Sequence, residues 1–164
     1  SLYFAFLVIS IFLVLSLTSA YHDSRPRFET NSQIFPSFQN LPKTLIHTDI
    51  SPTNTIQDEN GNFIVIDWDE AGIGVSVLDI GQPLINQFIS EDLEFFDDKL
   101  KTFYKAYFKE RKITEEEMNY LFDAGMFWTC MYIIYGDTLK RWKRVKWAIE
   151  NRKLLEEMIK SSEK

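Results

Sequence analysis

Hydrophobic positions fall into three regimes along the chain. Residues 1–20 (SLYFAFLVISIFLVLSLTSA) are apolar or small at nearly every position and carry no charge. Between residues 44 and 67, short apolar runs alternate with turn residues. From residue 77 onward, apolar positions recur at steps of three and four, the spacing of amphipathic helices.

The first regime, about 20 residues, is long enough to cross a bilayer as a helix. Its end, Leu17-Thr18-Ser19-Ala20, also has the small-residue character of a signal-peptide cleavage site. A helix buried in a larger domain has the same uniform hydrophobicity. If the segment stays as an anchor, Arg25 and Arg27 keep the rest of the chain in the cytoplasm. Residues 21–40, with Pro26, Pro36 and several Ser, Asn and Gln, read as a linker.

The second regime predicts strands at 54–57 and 63–67, joined through Asp58-Glu59-Asn60-Gly61-Asn62, whose Asn-Gly pair favours a tight hairpin. Thr44-Leu45-Ile46 reads as a short apolar approach to His47. The third regime predicts a helix over 77–89, interrupted by Gly81 and Pro83, and an amphipathic helix over 92–109. Thr114-Glu115-Glu116-Glu117 has the form of a capping box. The helix it opens carries Leu121, Phe122, Trp128, Tyr132 and Tyr135, and Gly136 closes it. A last helix is expected over 137–160. The fold class is therefore α+β and mainly helical, with a short β-hairpin.

Composition narrows the function classes. At 164 residues, 45% hydrophobic and 26% charged, the chain has the balance of a globular domain rather than a disordered or fibrous one. One cysteine, Cys130, makes no internal disulfide, and one Cys with two His builds no zinc cluster. A net charge of −6 argues against nucleic acid as a partner.

The chemistry concentrates in 47–79, HTDISPTNTIQDENGNFIVIDWDEAGIGVSVLD. A loop carboxylate such as Asp49 can accept a proton from an attacking hydroxyl. The oxygens of Asn54 and Asp67 are hard ligands suited to Mg²⁺. Phosphoryl transfer requires this set of parts: a nucleophile held in line and a cation neutralising phosphate charge. Singly, each residue also has an ordinary use, Asp49 capping a turn, Asn54 closing an Asx-turn and Asp67 ending a strand.

His47-Thr48-Asp49, with Pro52 and Asn54, followed by Ile66-Asp67-Trp68, resembles the catalytic loop and metal motif of the aminoglycoside phosphotransferase / choline kinase superfamily. That family's loop usually reads H-G-D-x-x-P-x-N; here Thr48 replaces the common Gly. Asp79 in Leu78-Asp79-Ile80-Gly81 matches the family's later aspartate. The resemblance covers residues 41–90 well and 91–160 as a helical tail. It implies the C-terminal lobe of a protein-kinase-like fold over 41–164, with catalytic and metal loops in 45–80 and a helical subdomain over 81–164. It implies ATP and Mg²⁺ as cofactors and a small-molecule alcohol as substrate. Asp49 would be the catalytic base, Asn54 and Asp67 would hold Mg²⁺ on the phosphates, and His47 and Asp79 would support the loop. Asp69 would add negative charge beside the metal motif.

The kinase-like lobe that grips the nucleotide is not legible ahead of His47. Residues 1–46 contain no glycine, and their one lysine, Lys43, adjoins the catalytic loop. The expectation is a C-lobe alone, truncated or fused behind an apolar leader. Two functions follow: ATP-dependent phosphorylation of a small-molecule hydroxyl, aminoglycoside-, choline- or homoserine-kinase-like, or a non-catalytic, membrane-tethered relic or binding module of that fold.

Residues 47–98 hold twelve acidic residues and no Lys or Arg. Such a field attracts a cationic alcohol, although a solvated acidic surface has the same composition. Trp128, Tyr132, Tyr135 and Trp142 suit either a cation–π box or a buried helix face. The run Lys140, Arg141, Lys143, Arg144, Lys146 reads as a solvated face, with a membrane surface as the alternative.

Overall fold

The pattern of short β-forming runs followed by amphipathic segments produces two small antiparallel sheets and then a set of helices. A computed structural model describes residues 38, 40–133 and 137–163. The apolar segment 1–20, nearly all of the linker, Tyr135 and Gly136 lie outside the described residues. Among the described residues, no helix is long and apolar enough to cross a membrane.

The strands are β1 (Lys43–Ile46), β2 (Thr55–Gln57), β3 (Phe63–Val65) and β4 (Gly72–Val75). The described helices are α1 (Ser76–Asn86), α2 (Asp97–Glu110), α3 (Glu115–Met131), α4 (Thr138–Glu150) and α5 (Arg152–Ser161). The molecule is α+β and mainly helical, and residues 40–164 form one compact unit.

β2 and β3 form the expected hairpin, with Thr55 opposite Val65 and Gln57 opposite Phe63. Gly61 takes φ +84° in its turn, a conformation that glycine adopts without steric cost. The Asp58 carboxylate accepts from the N–H groups of Asn60 and Asn62 at 2.9 and 2.8 Å. The bonds from Asn62, side chain first, hold the Asp58 carboxyl below its ordinary value.

The segment before His47 is a strand rather than a mere approach. β1 pairs with β4, Lys43 opposite Val75 and Ile46 opposite Gly72. β4 reads Gly-Ile-Gly-Val, which carries little strand propensity. Gly74 leaves room for the Ile46 side chain; a Cβ there would stand 2.3 Å from Ile46 Cδ1. β4 runs directly into α1, so helix begins at Ser76, one residue before the expected start at 77 and ahead of the helical subdomain's expected bound at 81.

α1 continues through both Gly81 and Pro83. Gly81 permits close helix packing rather than breaking the helix. A Cβ on Gly81 would stand 2.7 Å from Ala124 Cβ, and one on Gly125 would stand 2.7 Å from the Gly81 carbonyl. α1 and α3 therefore meet backbone to backbone through small residues. Around Pro83, side chains serve the α1 backbone. Trp128 Nε1–H donates to Leu78 O at 2.8 Å, and the Tyr104 hydroxyl donates to Ile80 O at 2.9 Å. Leu84, Ile85, Leu100, Leu121 and Leu155 fill the surrounding core. α2 packs on α5, and α3 packs on both α4 and α5.

Two helical expectations shift. Residues 92–96 are not helix. Ile89 bridges Phe95, Phe96 N–H donates to Phe88 O, and Leu93 sits at φ +66°. The expected single helix over 137–160 is two, divided at Asn151, whose amide Nδ2 donates to Trp147 O at 2.9 Å. The capping box forms as read: Glu117 N–H donates to Thr114 Oγ1 and Thr114 N–H to Glu117 Oε2.

Candidate active site

β1 ends at Ile46 and delivers His47, Thr48 and Asp49 into a loop beside the start of α1. Asp79, in the first turn of α1, accepts from two consecutive backbone groups of that loop. His47 N–H donates to Asp79 Oδ2 at 2.7 Å, and Thr48 N–H donates to Oδ1 at 2.8 Å. Both donors belong to buried residues, and leaving either unpaired would be expensive. Burial holds the Asp79 carboxyl above its ordinary value, against the two backbone bonds and the nearby His47, which act in the opposite direction.

Thr48 takes φ +76°. This is the left-handed region, unfavourable for a β-branched residue and easy for glycine. The need for a glycine-like residue between His47 and Asp49 is thus visible in the backbone. Thr48 is fully buried, and its hydroxyl has no hydrogen-bond partner among the described residues.

His47 braces two loops at once. Its Nε2–H donates to the Ile66 carbonyl at 2.8 Å, which leaves Nδ1 to accept from Asp49 N–H at 3.3 Å. The carbonyl can only accept, so the bond selects the Nε2–H tautomer. Trp68 packs edge-on against the imidazole, with ring centroids 4.7 Å apart.

Asn54 ends a short 3₁₀ turn, Pro52–Asn54. Its amide Nδ2 donates both to Asp49 O at 2.9 Å and to Asp49 Oδ2 at 2.7 Å. Its carbonyl accepts from Ile66 N–H at 2.9 Å. That bond extends the β2–β3 ladder by one step and sets Asp67 next to the Asn54 loop. Asp67 itself takes φ +64°. It is exposed and has no hydrogen-bond or ion-pair partner among the described residues.

Four of the five residues singled out in the sequence thus form one hydrogen-bonded frame, and the fifth, Asp67, makes no bond of its own to it. Asp49, Asn54, His47 and Asp79 are joined directly or through backbone, and Asp67 follows the residue that ties in the second loop. Asp49 is exposed at the surface of this frame. Gln82, buried on α1, was not legible as a site residue: its Nε2–H donates to Asp49 Oδ1 at 3.0 Å. The signal was its position three residues after Asp79, which puts both side chains on one helix face. Ile66, which acts through its backbone, leaves no mark in side-chain chemistry.

Asn54 and Asp67 suit a hard divalent cation. The Asn54 amide nitrogen is committed to Asp49, so its side-chain oxygen is the group that could act as a ligand, and the Asp67 carboxylate is uncommitted. Among the described residues, no cluster of three or more His, Cys, Asp or Glu could hold a metal.

The other sequence candidates go elsewhere. Trp128 is buried in the core and stacks with Tyr132 at 5.7 Å. Within the basic run, Lys140 pairs with Glu91, Arg141 donates to Tyr132 O, and the Arg144 guanidinium reaches the carbonyls of Asn86, the last residue of α1, and Ile89 just beyond it. Lys143 and Lys146 remain exposed.

No curated protein matches the chain. A family model described as phosphotransferase enzyme family, APH, matches residues 2–116. The matched span includes residues 2–40, which the loop motifs alone do not reach, together with all four strands, α1 and α2. With more than half of its length matched and the loops arranged around Asp49, the chain belongs to the phosphotransferase enzyme family.

Proposed function

We propose that the chain carries the catalytic loops of an ATP-dependent phosphotransferase that acts on a small-molecule hydroxyl. The observation that carries this reading is the setting of Asp49. Both of its carboxylate oxygens receive a neutral amide donor, from Asn54 and Gln82, and among the described residues no cation pairs with it. The carboxylate is fixed in direction, stays exposed, and keeps lone pairs for a proton. A structural aspartate would more commonly be withdrawn from solvent against its partners, as the half-buried Asp79 is.

In this reading the substrate hydroxyl donates to Asp49, which orients its oxygen and accepts its proton as the bond to phosphorus forms. Asn54 and Asp67 hold Mg²⁺, which when bound neutralises charge on the ATP phosphates. His47 and Asp79 fix the loop from behind and move no proton. Asp49, Asp67, Asp69 and Glu70 are all exposed carboxylates, and residues 47–98 hold no Lys or Arg, which favours a cationic alcohol. ATP as donor assigns the reaction to the cytoplasm.

The test is equilibrium binding of Mg-ATP, by calorimetry, to the wild-type protein and to Asp67→Asn. The expected result is Mg²⁺-dependent binding that weakens about tenfold or more in the variant, since a coordinating charge is lost. Wild-type protein that binds no Mg-ATP would overturn this reading and leave the non-catalytic one.

A further inference from the structure

We infer that Gln82 is a positioning residue for the Asp49 carboxylate, contributed by α1 and not by the loop motif. The inference rests on the phosphotransferase reading above. Gln82 is only 7% exposed, and its Nε2–H donates to Asp49 Oδ1 at 3.0 Å. Asn54 Nδ2 holds the other oxygen, Oδ2, at 2.7 Å. Asn54 stands on the same loop as Asp49, five residues on, and moves with it. Gln82 stands on a different element, so its bond fixes the carboxylate against the body of the fold.

That body is rigid at this point. Gly81, the preceding residue, is packed directly on Ala124 and Gly125 of α3. One turn earlier, Asp79 holds the backbone N–H groups of His47 and Thr48. A single turn of α1 therefore holds the loop twice, Asp79 by its backbone and Gln82 by its reactive side chain. The amide's own orientation points the same way. Gln82 Oε1 is buried without a hydrogen-bond partner among the described residues. Rotating the amide by half a turn would set that oxygen against the Asp49 carboxylate. The bond to Asp49 therefore decides which way the amide faces, and the acceptor is left unpaired as a consequence.

A fixed carboxylate direction matters in the transition state, where the hydroxyl must be in line with the phosphorus. It matters little for binding either substrate. Gln82→Met keeps length and volume and removes the donor. The expected result is a kcat lower by about 10- to 100-fold, with KM for ATP and for the alcohol within about twofold and an unchanged melting midpoint. Independently of turnover, the Gln82 side-chain amide resonances should move in Asp49→Ala protein and stay in place in Asp67→Ala protein.

Each alternative result overturns the inference. A kcat within about twofold of wild type would remove the positioning role while leaving the phosphotransferase reading intact. A lowered melting midpoint with kcat and KM altered together would make Gln82 a structural residue. Amide resonances indifferent to Asp49 would deny the contact. Wild-type protein that transfers no phosphoryl group to any alcohol would remove the phosphotransferase reading and the positioning role with it.

Discussion

The loops around Asp49 and the helical half of the molecule each draw a carboxylate inward, and the two titrate in opposite directions. Asp79 meets two backbone N–H groups and, among the described residues, no cationic ion-pair partner, and burial holds its carboxyl above the ordinary 3.8. Glu117 in α3 is buried where Asp79 is half-buried, and burial alone would raise it too. The Ser76 hydroxyl, the Thr114 N–H and the Arg111 guanidinium together hold it below the ordinary 4.5. Glu117 has a complete set of partners, including its own helix cap. Asp79 is kept charged at some cost, because nothing else can satisfy the loop that presents Asp49. Of the non-glycine residues with positive φ among the described residues, Thr48 and Asp67 stand beside the candidate site and Leu93 lies in the loop between α1 and α2; strain of this kind is often found where function constrains geometry.

The comparison is broken most severely at Asp79. Asp79→Ala strands two buried N–H groups and should cost about 3 kcal/mol in chemical denaturation. Asp79→Asn, which keeps one acceptor oxygen for one of the donors, should cost about half of that. Equal, small effects from both would show that the loop holds itself.

Glu117→Gln removes charge and keeps shape, and should cost about 1–2 kcal/mol at neutral pH. Here the sign of the pH dependence separates the two regions. Glu117 is lowered in the native state, so its contribution is present above 4.5 and is lost as pH falls through the lowered native value. The gap between wild type and Glu117→Gln should therefore close in acid. Asp79 is raised, so the native state takes up its proton first, and stability attributable to it rises as pH falls towards 3.8. The gap between wild type and Asp79→Ala should widen over that window. Denaturant titrations from pH 7 to pH 3.5 measure both.

The smallest effect expected has the opposite sign. Thr48→Gly restores the residue best suited to φ +76° and removes a buried hydroxyl without a partner. The gain should be up to about 1 kcal/mol, the left-handed strain being partly offset by the greater freedom of glycine when unfolded. A loss of stability would mean that the threonine methyl group contributes more by packing than the strain costs.

Much of this was legible in the sequence, for reasons that differ by region. The hairpin was marked by Phe63-Ile64-Val65 and Asn60-Gly61, and the α3 N-terminus by Thr114 and Glu117, because turns and caps are local chemistry. The spacing of His47, Asp49, Asn54 and Asp67 was readable because one hairpin brings the four together. β4 was not legible, since it reads Gly-Ile-Gly-Val and at Gly74 the side chain of Ile46, distant in sequence, takes the space of a Cβ. Gly81 read as a break in a helix because its reason, the backbone of α3, is 43 residues away in sequence. Gln82 was missed for the same reason: its partner lies on a distant loop. The match from residue 2 to residue 116 extends the family relationship well past the motifs, into positions where no single residue signals it.

The central claim is that Asp49 is an oriented, uncommitted base and not a turn cap. Its most direct test is Mg-ATP-dependent phosphoryl transfer to a panel of alcohols, amine-bearing and neutral, by wild type and Asp49→Asn, with thermal unfolding measured in parallel. The account predicts a rate lower by about 10²- to 10⁴-fold in the variant, with an unchanged melting midpoint. Transfer by Asp49→Asn at close to the wild-type rate would contradict it.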